Sequence, residues 1–279
     1  MAEPDFTNKT VYGTLGKLGV AMPAGGYIAV TDFHRWLCKD IAISDYPVPL
    51  GSVSPEGLQV FADKVTEAMH LYRDYDPVDL AFLSCTAGSQ VGGPGYDAYL
   101  CGILKEAANA REGYTTTTAV LRALRTLGSR KLTICTPYPV DVNVMEQRYF
   151  ENEGFQVGGI FGMETADPRD PKLIGRIPPE DIFRFAKAHM LPGTDTMFIS
   201  CTGLTAMEII HDLEQELGVP VVTSNSCAAW LIGKFFGRHG ENADRLGVLY
   251  QHCFDLPGRF RPGSAAPSDK MRRRYFHDS

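Results

Sequence analysis

The sequence predicts an α/β fold in which parallel strands are buried on both faces and the chain forms two related halves. Short, almost unbroken apolar segments alternate with amphipathic ones, which is typical of strands joined by crossover helices. Two of these strands end in the same pattern, Ser-Cys-Thr followed closely by glycine, at 84–88 and 200–203. With 279 residues, 44% of them hydrophobic, the chain can form one or two domains with a large core.

The first elements are predicted from local patterns. A buried strand over 17–23 ends in the Gly-rich loop 24–26. The string Ser54-Pro55-Glu56 provides an N-cap residue and a proline at the first helical position, and apolar residues at helical spacing follow it. We therefore predict a helix over 57–72. The continuous apolar segment 78–84 predicts the next strand.

The same alternation continues through the rest of the chain. Helices are predicted over 117–127, 144–153, 179–189 and 205–217, and strands over 131–135, 196–200 and 219–223. Because ligands bind beyond the carboxyl ends of parallel strands, we expect the functional site at that edge of the sheets.

Cys85 and Cys201 occupy equivalent positions in the two predicted halves, each directly after a strand. Pseudo-twofold packing of the halves would turn both cysteines into one cleft. At such a turn, backbone N–H groups and a helix N-terminus are expected to stabilise the thiolate. A thiolate and a thiol on opposite sides of a planar carbon form a base and an acid, so the pair predicts catalysis without a metal or an organic cofactor.

Four of the other five cysteines are interpreted as structural. The seven cysteines include no CxxC pair, which argues against a disulfide framework and a zinc site. Cys38, Cys101, Cys135 and Cys253 are predicted to fill gaps in the core, whereas Cys227 is left open. The segment Asn225-Ser226-Cys227 is expected to border the cleft, with structural support and substrate contact as the alternatives.

Composition limits the partners and the compartment. A net charge of −6 argues against nucleic-acid binding, and the basic cluster 270–274 is interpreted as a solvated tail or a subunit contact. No apolar run approaches the ~20 residues that cross a bilayer. Since the first residues lack the features of a signal peptide, we expect a cytoplasmic protein, and homo-oligomers remain an open alternative.

Several short motifs carry a resemblance to known proteins. They are SCTAGS at 84–89, TPYPVDVN at 136–143, SCTG at 200–203, ELGVPVV at 216–222, MPAGG at 22–26 and LGSVSPE at 50–56. The chain resembles the cofactor-independent Asp/Glu racemase superfamily from about residue 16 to 237. Within that superfamily it is most similar to the maleate cis-trans isomerase and arylmalonate decarboxylase branch.

The resemblance implies the arrangement of the fold. Each half would be Rossmann-like, with a four-stranded parallel sheet flanked by helices and the active site between the halves. The first half would comprise 1–116 together with 224–279, and the second half would comprise 117–223.

The resemblance also implies roles for individual residues. Cys85 and Cys201 would be the catalytic pair. The substrate, a small carboxylic acid, would be bound by Thr86, Ala87, Gly88, Tyr138, Thr202, Gly203, Pro23 and Gly26. Tyr138 would present its hydroxyl to the substrate, and side-chain selectivity is expected from loops over 27–32 and 90–96.

Three functions are compatible with these residues. The first is an isomerase or racemase of a small carboxylic acid, most concretely a maleate-like cis-trans isomerase, because both cysteines are present. The alternative is an arylmalonate-type decarboxylase, although such enzymes carry glycine where this chain has Cys85. The string at 24–27, Ala-Gly-Gly-Tyr, is closer to the decarboxylase pattern. The third is a carboxylate-binding protein without activity.

Overall fold

Two four-stranded parallel sheets organise the chain, as seen in a computed structural model that describes residues 12–251. The first sheet contains β1 (Gly16–Pro23), β2 (Ile41–Val48), β3 (Leu80–Leu83) and β4 (Glu112–Thr115), in the order β2-β1-β3-β4. The second contains β5 (Lys131–Thr136), β6 (Gln156–Gly162), β7 (Thr196–Ile199) and β8 (Val221–Thr223), in the order β6-β5-β7-β8. The identical order confirms the predicted α/β fold with two equivalent sheets.

Helices connect the strands. Within the described residues they are α1 (Tyr27–Trp36), α2 (Pro55–Tyr75), α3 (Tyr96–Ala108), α4 (Thr116–Thr126), α5 (Val140–Asn152), α6 (Pro171–Ile174), α7 (Pro179–His189), α8 (Ile210–Leu217), α9 (Ser224–Phe236) and α10 (Val248–Gln251). Short 3-10 turns lie at Ala87–Ser89, Met207–Ile209 and Ala243–Leu246. No helix of residues 12–251 has the length and apolar composition needed to cross a membrane.

Helix α2 shows how local sequence sets an element. The Ser54 hydroxyl oxygen accepts a hydrogen bond from the Gly57 backbone N–H at 3.1 Å, and Pro55 occupies the first helical position. The apolar positions Phe61 and Met69 face the core and are fully buried. The predicted helix is confirmed, and it continues three residues beyond 72 to Tyr75.

The central strands β3 and β7 place the two Ser-Cys-Thr turns. Every residue of both strands is buried, as expected for strands covered on both faces. β3 lies between β1 and β4, and β7 lies between β5 and β8. The turns that follow them therefore begin at equivalent points of the two sheets.

Helix α9 follows the second sheet but packs against α1 and α4. Its first ten residues, 224–233, are all buried. A capping box fixes its start, since the side chains of Thr223 and Ser226 each accept a hydrogen bond from the other residue's backbone N–H. Near the end of α9, the Phe236 ring packs close to Gly16, and a Cβ at residue 16 would lie 2.8 Å from this ring. Gly16 also has a φ of +132°, which favours glycine.

Several predicted boundaries were wrong. The segment 27–32, predicted as a loop, forms the first turns of α1. Helix α5 begins at Val140 rather than at 144, directly after Pro139. The predicted helix over 205–217 starts as a 3-10 turn and becomes α-helical only at Ile210. The predicted strand over 219–223 begins at Val221, after Pro220, which has no backbone donor for the sheet.

The predictions missed the outer strands β2, β4 and β6 and the helices α3, α6, α9 and α10. The outer strands have interrupted patterns: β2 has three exposed residues in a row, and β6 contains a glycine pair and no fully buried residue. Cys253 and the basic cluster 270–274 lie outside the described residues.

Candidate active site

Both predicted catalytic cysteines line one pocket at the carboxyl ends of the strands. The pocket holds about 570 Å³ of space, including the part open to solvent, and residues of both halves form it. Of the ten residues predicted for the site, eight line it: Pro23, Gly26, Cys85, Ala87, Tyr138, Cys201, Thr202 and Gly203. The predicted meeting of the two turns in one cleft is confirmed by these positions.

The other two predicted site residues stand behind the pocket. Thr86 is fully buried, and its hydroxyl lies 2.8 Å from the Ser224 hydroxyl. Gly88 leaves room for the Cys85 side chain, because a Cβ at residue 88 would lie 2.9 Å from the Cys85 Sγ and 3.1 Å from the Phe61 ring. Thr86 and Gly88 therefore position the first turn rather than face the pocket.

The Cys85 turn begins where β3 ends. The Ser89 hydroxyl donates to the backbone oxygens of Cys85 and Thr86, each at 2.9 Å, and this closes the turn. The Gly88 backbone N–H favours the Cys85 thiolate, but burial outweighs it and raises the pKa of the Cys85 thiol to about 12. Cys85 is thus a neutral thiol at pH 7.

The Cys201 turn has an unusual backbone. Cys201 has a φ of +128°, a region that side-chain-bearing residues rarely adopt. Its backbone N–H donates to the Ser224 hydroxyl at 3.0 Å, and the Gly203 N–H donates to its Sγ at 3.3 Å. The Tyr138 hydroxyl also favours the thiolate, yet burial raises the pKa of Cys201 to about 11.

The prediction that these turns favour thiolates was therefore wrong, because burial raises the pKa of both thiols. Backbone N–H groups do approach the sulfurs of Cys85 and Cys201, as predicted. Both side chains are more than nine-tenths buried, however, and removing a thiolate from water costs more than these donors return.

Tyr138 follows β5 and is held by the start of α5. The Thr136 hydroxyl oxygen accepts from the Tyr138 backbone N–H at 3.1 Å, and Asn143 donates from its amide to the Tyr138 backbone oxygen at 3.2 Å. Burial raises the pKa of Tyr138 well above its usual value, so its hydroxyl remains a hydrogen-bond donor. Asn143 is a supporting residue that sequence reasoning did not identify.

Asn225 lies beside the pocket and supports it. Its side-chain amide donates to the Asp32 carboxylate at 2.7 Å and to the Thr202 backbone oxygen at 3.1 Å. Asn225 is 1% exposed and does not line the pocket. Its hydrogen bonds favour the structural alternative. Cys227, two residues later, is fully buried in the core.

Glu146 is a further residue that sequence reasoning missed. It is fully buried on α5, and its carboxyl accepts a hydrogen bond from the Ser200 hydroxyl at 2.6 Å. Burial raises the pKa of Glu146 to about 7. A signal was present, because residue 146 shares a helix face with Val142 and Phe150, which are both buried.

The walls of the pocket are mostly apolar. Ile28, Leu50, Val53, Leu58 and Ile174 form much of the lining, and none of the described lining residues carries a charge. A bound carboxylate would thus depend on hydroxyl and backbone N–H donors. Elsewhere in the described part of the chain, no group of three His, Cys, Asp or Glu residues is placed to hold a metal ion.

Comparison with known proteins finds relatives of both kinds implied by the resemblance. Arylmalonate decarboxylase of Bordetella bronchiseptica is 28% identical over 238 residues, covering 84% of this chain and 95% of that protein. A maleate isomerase of Nocardia farcinica is 23% identical over 225 residues, covering 77% of this chain and 88% of that protein.

Solved structures agree on the fold. The Nocardia farcinica maleate cis-trans isomerase, as a cysteine-to-serine mutant with a covalently bound succinylcysteine intermediate, superposes with a TM-score of 0.76 at 20% identity. It covers 84% of this chain and 97% of that one. These findings confirm the resemblance to the maleate isomerase and arylmalonate decarboxylase branch. A family model described as arylmalonate decarboxylase matches residues 19–248, and the chain belongs to that family.

Proposed function

We propose that the protein is an isomerase of a small carboxylic acid, in which Cys85 and Cys201 act on the same substrate from opposite sides. The observation that carries the proposal is the presence of both sulfur-bearing side chains in one pocket, each supplied by a different half of the chain. Decarboxylation needs only one proton donor. A second cysteine therefore favours a reaction in which one sulfur group acts on each side of the substrate carbon.

The chemistry follows from an enediolate intermediate. In an α-proton transfer, one thiolate removes the α-hydrogen, the C–H electron pair moves onto the carboxylate, and the other thiol protonates the opposite face. In a cis-trans isomerisation, the Cys85 thiolate would add to the alkene and the Cys201 thiol would protonate the neighbouring carbon. The former carbon–carbon double bond is then a single bond and can rotate. Reversal of both steps after this rotation would release the trans alkene and restore the thiolate and the thiol.

The walls of the pocket favour one class of substrate over another. A dicarboxylate such as maleate would bring two charges into a pocket whose described lining includes no cation, and burying an unpaired charge is costly. Leu50, Val53 and Ile174 instead suit an apolar substituent. We therefore propose a monocarboxylic acid with an apolar group on its α-carbon as the preferred substrate, and maleate as the weaker one.

A decarboxylase is the second candidate, and two observations favour it. The chain belongs to the arylmalonate decarboxylase family, and the apolar pocket walls suit the aryl group, though not the second carboxylate, of such a substrate. In this reaction carbon dioxide leaves, its bonding electron pair forms the enediolate, and the Cys201 thiol donates the proton that completes the product. Cys85 would then have no required role.

One set of assays tests the proposal. The enzyme is incubated in D₂O with a single enantiomer of a 2-arylpropionate, with maleate and with an arylmalonate, and each reaction is followed by ¹H NMR and chiral chromatography. We expect loss of optical purity together with α-deuterium incorporation. Decarboxylation of the arylmalonate, with no exchange, racemisation or fumarate, would replace the proposal with the decarboxylase.

A matched control separates catalysis from binding. The double variant Cys85→Ala/Cys201→Ala keeps the pocket and removes both sulfurs, so it should bind the acid without any turnover. If the wild-type protein binds the acids by calorimetry yet turns over none of them, it is a carboxylate-binding protein instead.

A further inference from the structure

The buried carboxyl group of Glu146 lies behind the pocket. Glu146 is 0% exposed, and its Oε1 accepts a hydrogen bond from the hydroxyl of Ser200, the residue directly before Cys201. Its Oε2 has no hydrogen-bond partner among the described residues. The side chain of the fully buried Gln90 lies beside the carboxyl, and neither of its amide atoms has a partner with good geometry.

Four ionisable groups face one another around this point. They are Cys85, Tyr138, Glu146 and Cys201. A charge on Glu146 raises the pKa of each of the other three groups. The largest opposing effects come from the Tyr138 hydroxyl, Ser200, Gln90 and the Gly88 and Gly203 backbone N–H groups. Among the described residues, no cation is one of the main influences on the pKa of any of the four groups.

This arrangement favours a single negative charge, on either Glu146 or one of the thiols. In a buried region a second charge is opposed both by desolvation and by repulsion from the first. The release of a proton from Glu146 therefore makes it harder for either thiol to release its own proton. Ionised Glu146 and a thiolate are competing states of the same cluster.

We infer that Glu146 is a positioning residue that holds the Cys201 turn through Ser200 and, by accepting or releasing a proton, controls how readily the two thiols ionise. Its value for turnover rests on the proposed two-thiol function, whereas the coupling itself needs no substrate. The protonated form of Glu146 is the form compatible with a thiolate. Burial brings the pKa of Glu146 to about 7, so the group changes state in the neutral range.

Alkylation of the thiols tests the coupling directly. The full-length protein, without substrate, reacts with iodoacetamide between pH 5.5 and 9.5, and mass spectrometry of peptides gives separate rates for Cys85 and Cys201. The variant Glu146→Gln keeps an oxygen acceptor for the Ser200 hydroxyl and removes the charge. Below pH 6 we expect equal rates in the variant and the wild type, because the wild-type Glu146 is then protonated and uncharged, like the amide that replaces it in the variant.

Above pH 8 we expect Glu146→Gln to react about three- to tenfold faster, since the wild-type thiols must ionise beside a carboxylate, and each pKa unit is a factor of ten. The signature is a rate ratio that changes across neutral pH. A ratio that is constant with pH, or rates that are equal throughout, would overturn the inference, because a purely structural effect does not follow the titration of Glu146.

A matched control and a second variant keep the test decisive. Glu214 is another buried glutamate, and it accepts hydrogen bonds from the Val221 and Val248 backbone N–H groups. Glu214→Gln should leave the alkylation profile unchanged. Ser200→Ala keeps Glu146 but removes a hydrogen-bond donor that favours its charged form, so the pKa of Glu146 should rise. The pH at which the alkylation rates respond to the ionisation of Glu146 should therefore be higher in Ser200→Ala than in the wild type. No movement in Ser200→Ala would contradict the coupling even if Glu146→Gln failed to fold.

The readouts separate the two proposals. If the alkylation profiles shift as expected but the wild type has no isomerase activity, the charge coupling stands and the proposed reaction fails. If the enzyme isomerises an acid and the profiles do not shift, the reaction stands and the role of Glu146 fails.

Discussion

The Ser224 hydroxyl oxygen accepts the backbone N–H of Cys201 at 3.0 Å, where the cysteine has a φ of +128°. The same hydroxyl lies 2.8 Å from the Thr86 hydroxyl in the other turn. One buried serine therefore joins the two cysteine turns and supports the strained one. A second link runs from the Thr202 hydroxyl, which donates to the Ser84 backbone oxygen at 3.3 Å.

Replacing this serine should separate the turns. Ser224→Ala leaves the Cys201 N–H without its acceptor, at a cost of about 1–3 kcal/mol in the free energy of unfolding. Because misplacement of reacting groups by about 1 Å can cost on the order of 10²-fold, we expect a turnover loss of that size. Ser226→Ala is the control, since it breaks the α9 capping box, costs about 1 kcal/mol and should leave turnover of the folded enzyme intact. Equal turnover losses in both variants would argue against the link.

Single cysteine variants distinguish the two reactions. For an isomerase, Cys85→Ala and Cys201→Ala should each reduce interconversion by at least ~10²–10⁴, because both directions need a group on each side. For a decarboxylase, Cys201→Ala alone should be damaging, whereas Cys85→Gly should keep or improve activity on a malonate. Rates of racemisation and of carbon dioxide release decide between them, and full decarboxylation by Cys85→Gly without wild-type isomerisation contradicts the leading proposal.

Tyr138 is expected to act as a donor and never as a base. Its pKa is raised well above the usual value, and its hydroxyl favours the Cys201 thiolate. Tyr138→Phe should therefore slow turnover and also slow iodoacetamide alkylation of Cys201, with a smaller effect on Cys85. Unchanged rates at both cysteines would show that the ring only packs.

Buried carboxyls predict how stability depends on pH. Burial raises the pKa of Glu214 from 4.5 to about 8, so between these values the folded protein keeps a proton that the unfolded chain loses. The contribution of Glu214 to the free energy of unfolding therefore falls as the pH rises from about 4.5 to about 8, by up to ~1.4 kcal/mol per pH unit. Urea unfolding at pH 5–8 should show a shallower decline for Glu214→Gln than for the wild type. Parallel declines would be inconsistent with a protonated Glu214.

Local patterns were sufficient for the central strands and the cysteine turns. β3 and β7 are uniformly apolar because both faces are covered, and the repeated Ser-Cys-Thr marks their ends. Outer strands such as β2 mix exposed and buried positions, so their patterns were too weak to recognise. The division of the chain near 116 and 223 stays a prediction.

The missing parts of the candidate site depend on contacts between distant residues. Glu146 is 54 positions from Ser200, and Ser224 is 138 positions from Thr86. Nothing in the local sequence marks such pairs. The protonation of the thiols was misjudged for a related reason, because the depth at which Cys85 and Cys201 are buried depends on the packing of both halves.

Helix α9 also constrains the order in which the protein can be completed during synthesis. The surface of α1 and α4 that it covers is made early, while α9 itself emerges only after the last strand of the second sheet. A nascent chain that stops after β8 leaves this apolar surface open to water and to other chains. The packing of α1 and α4 can therefore be completed only after almost the whole described chain has been made.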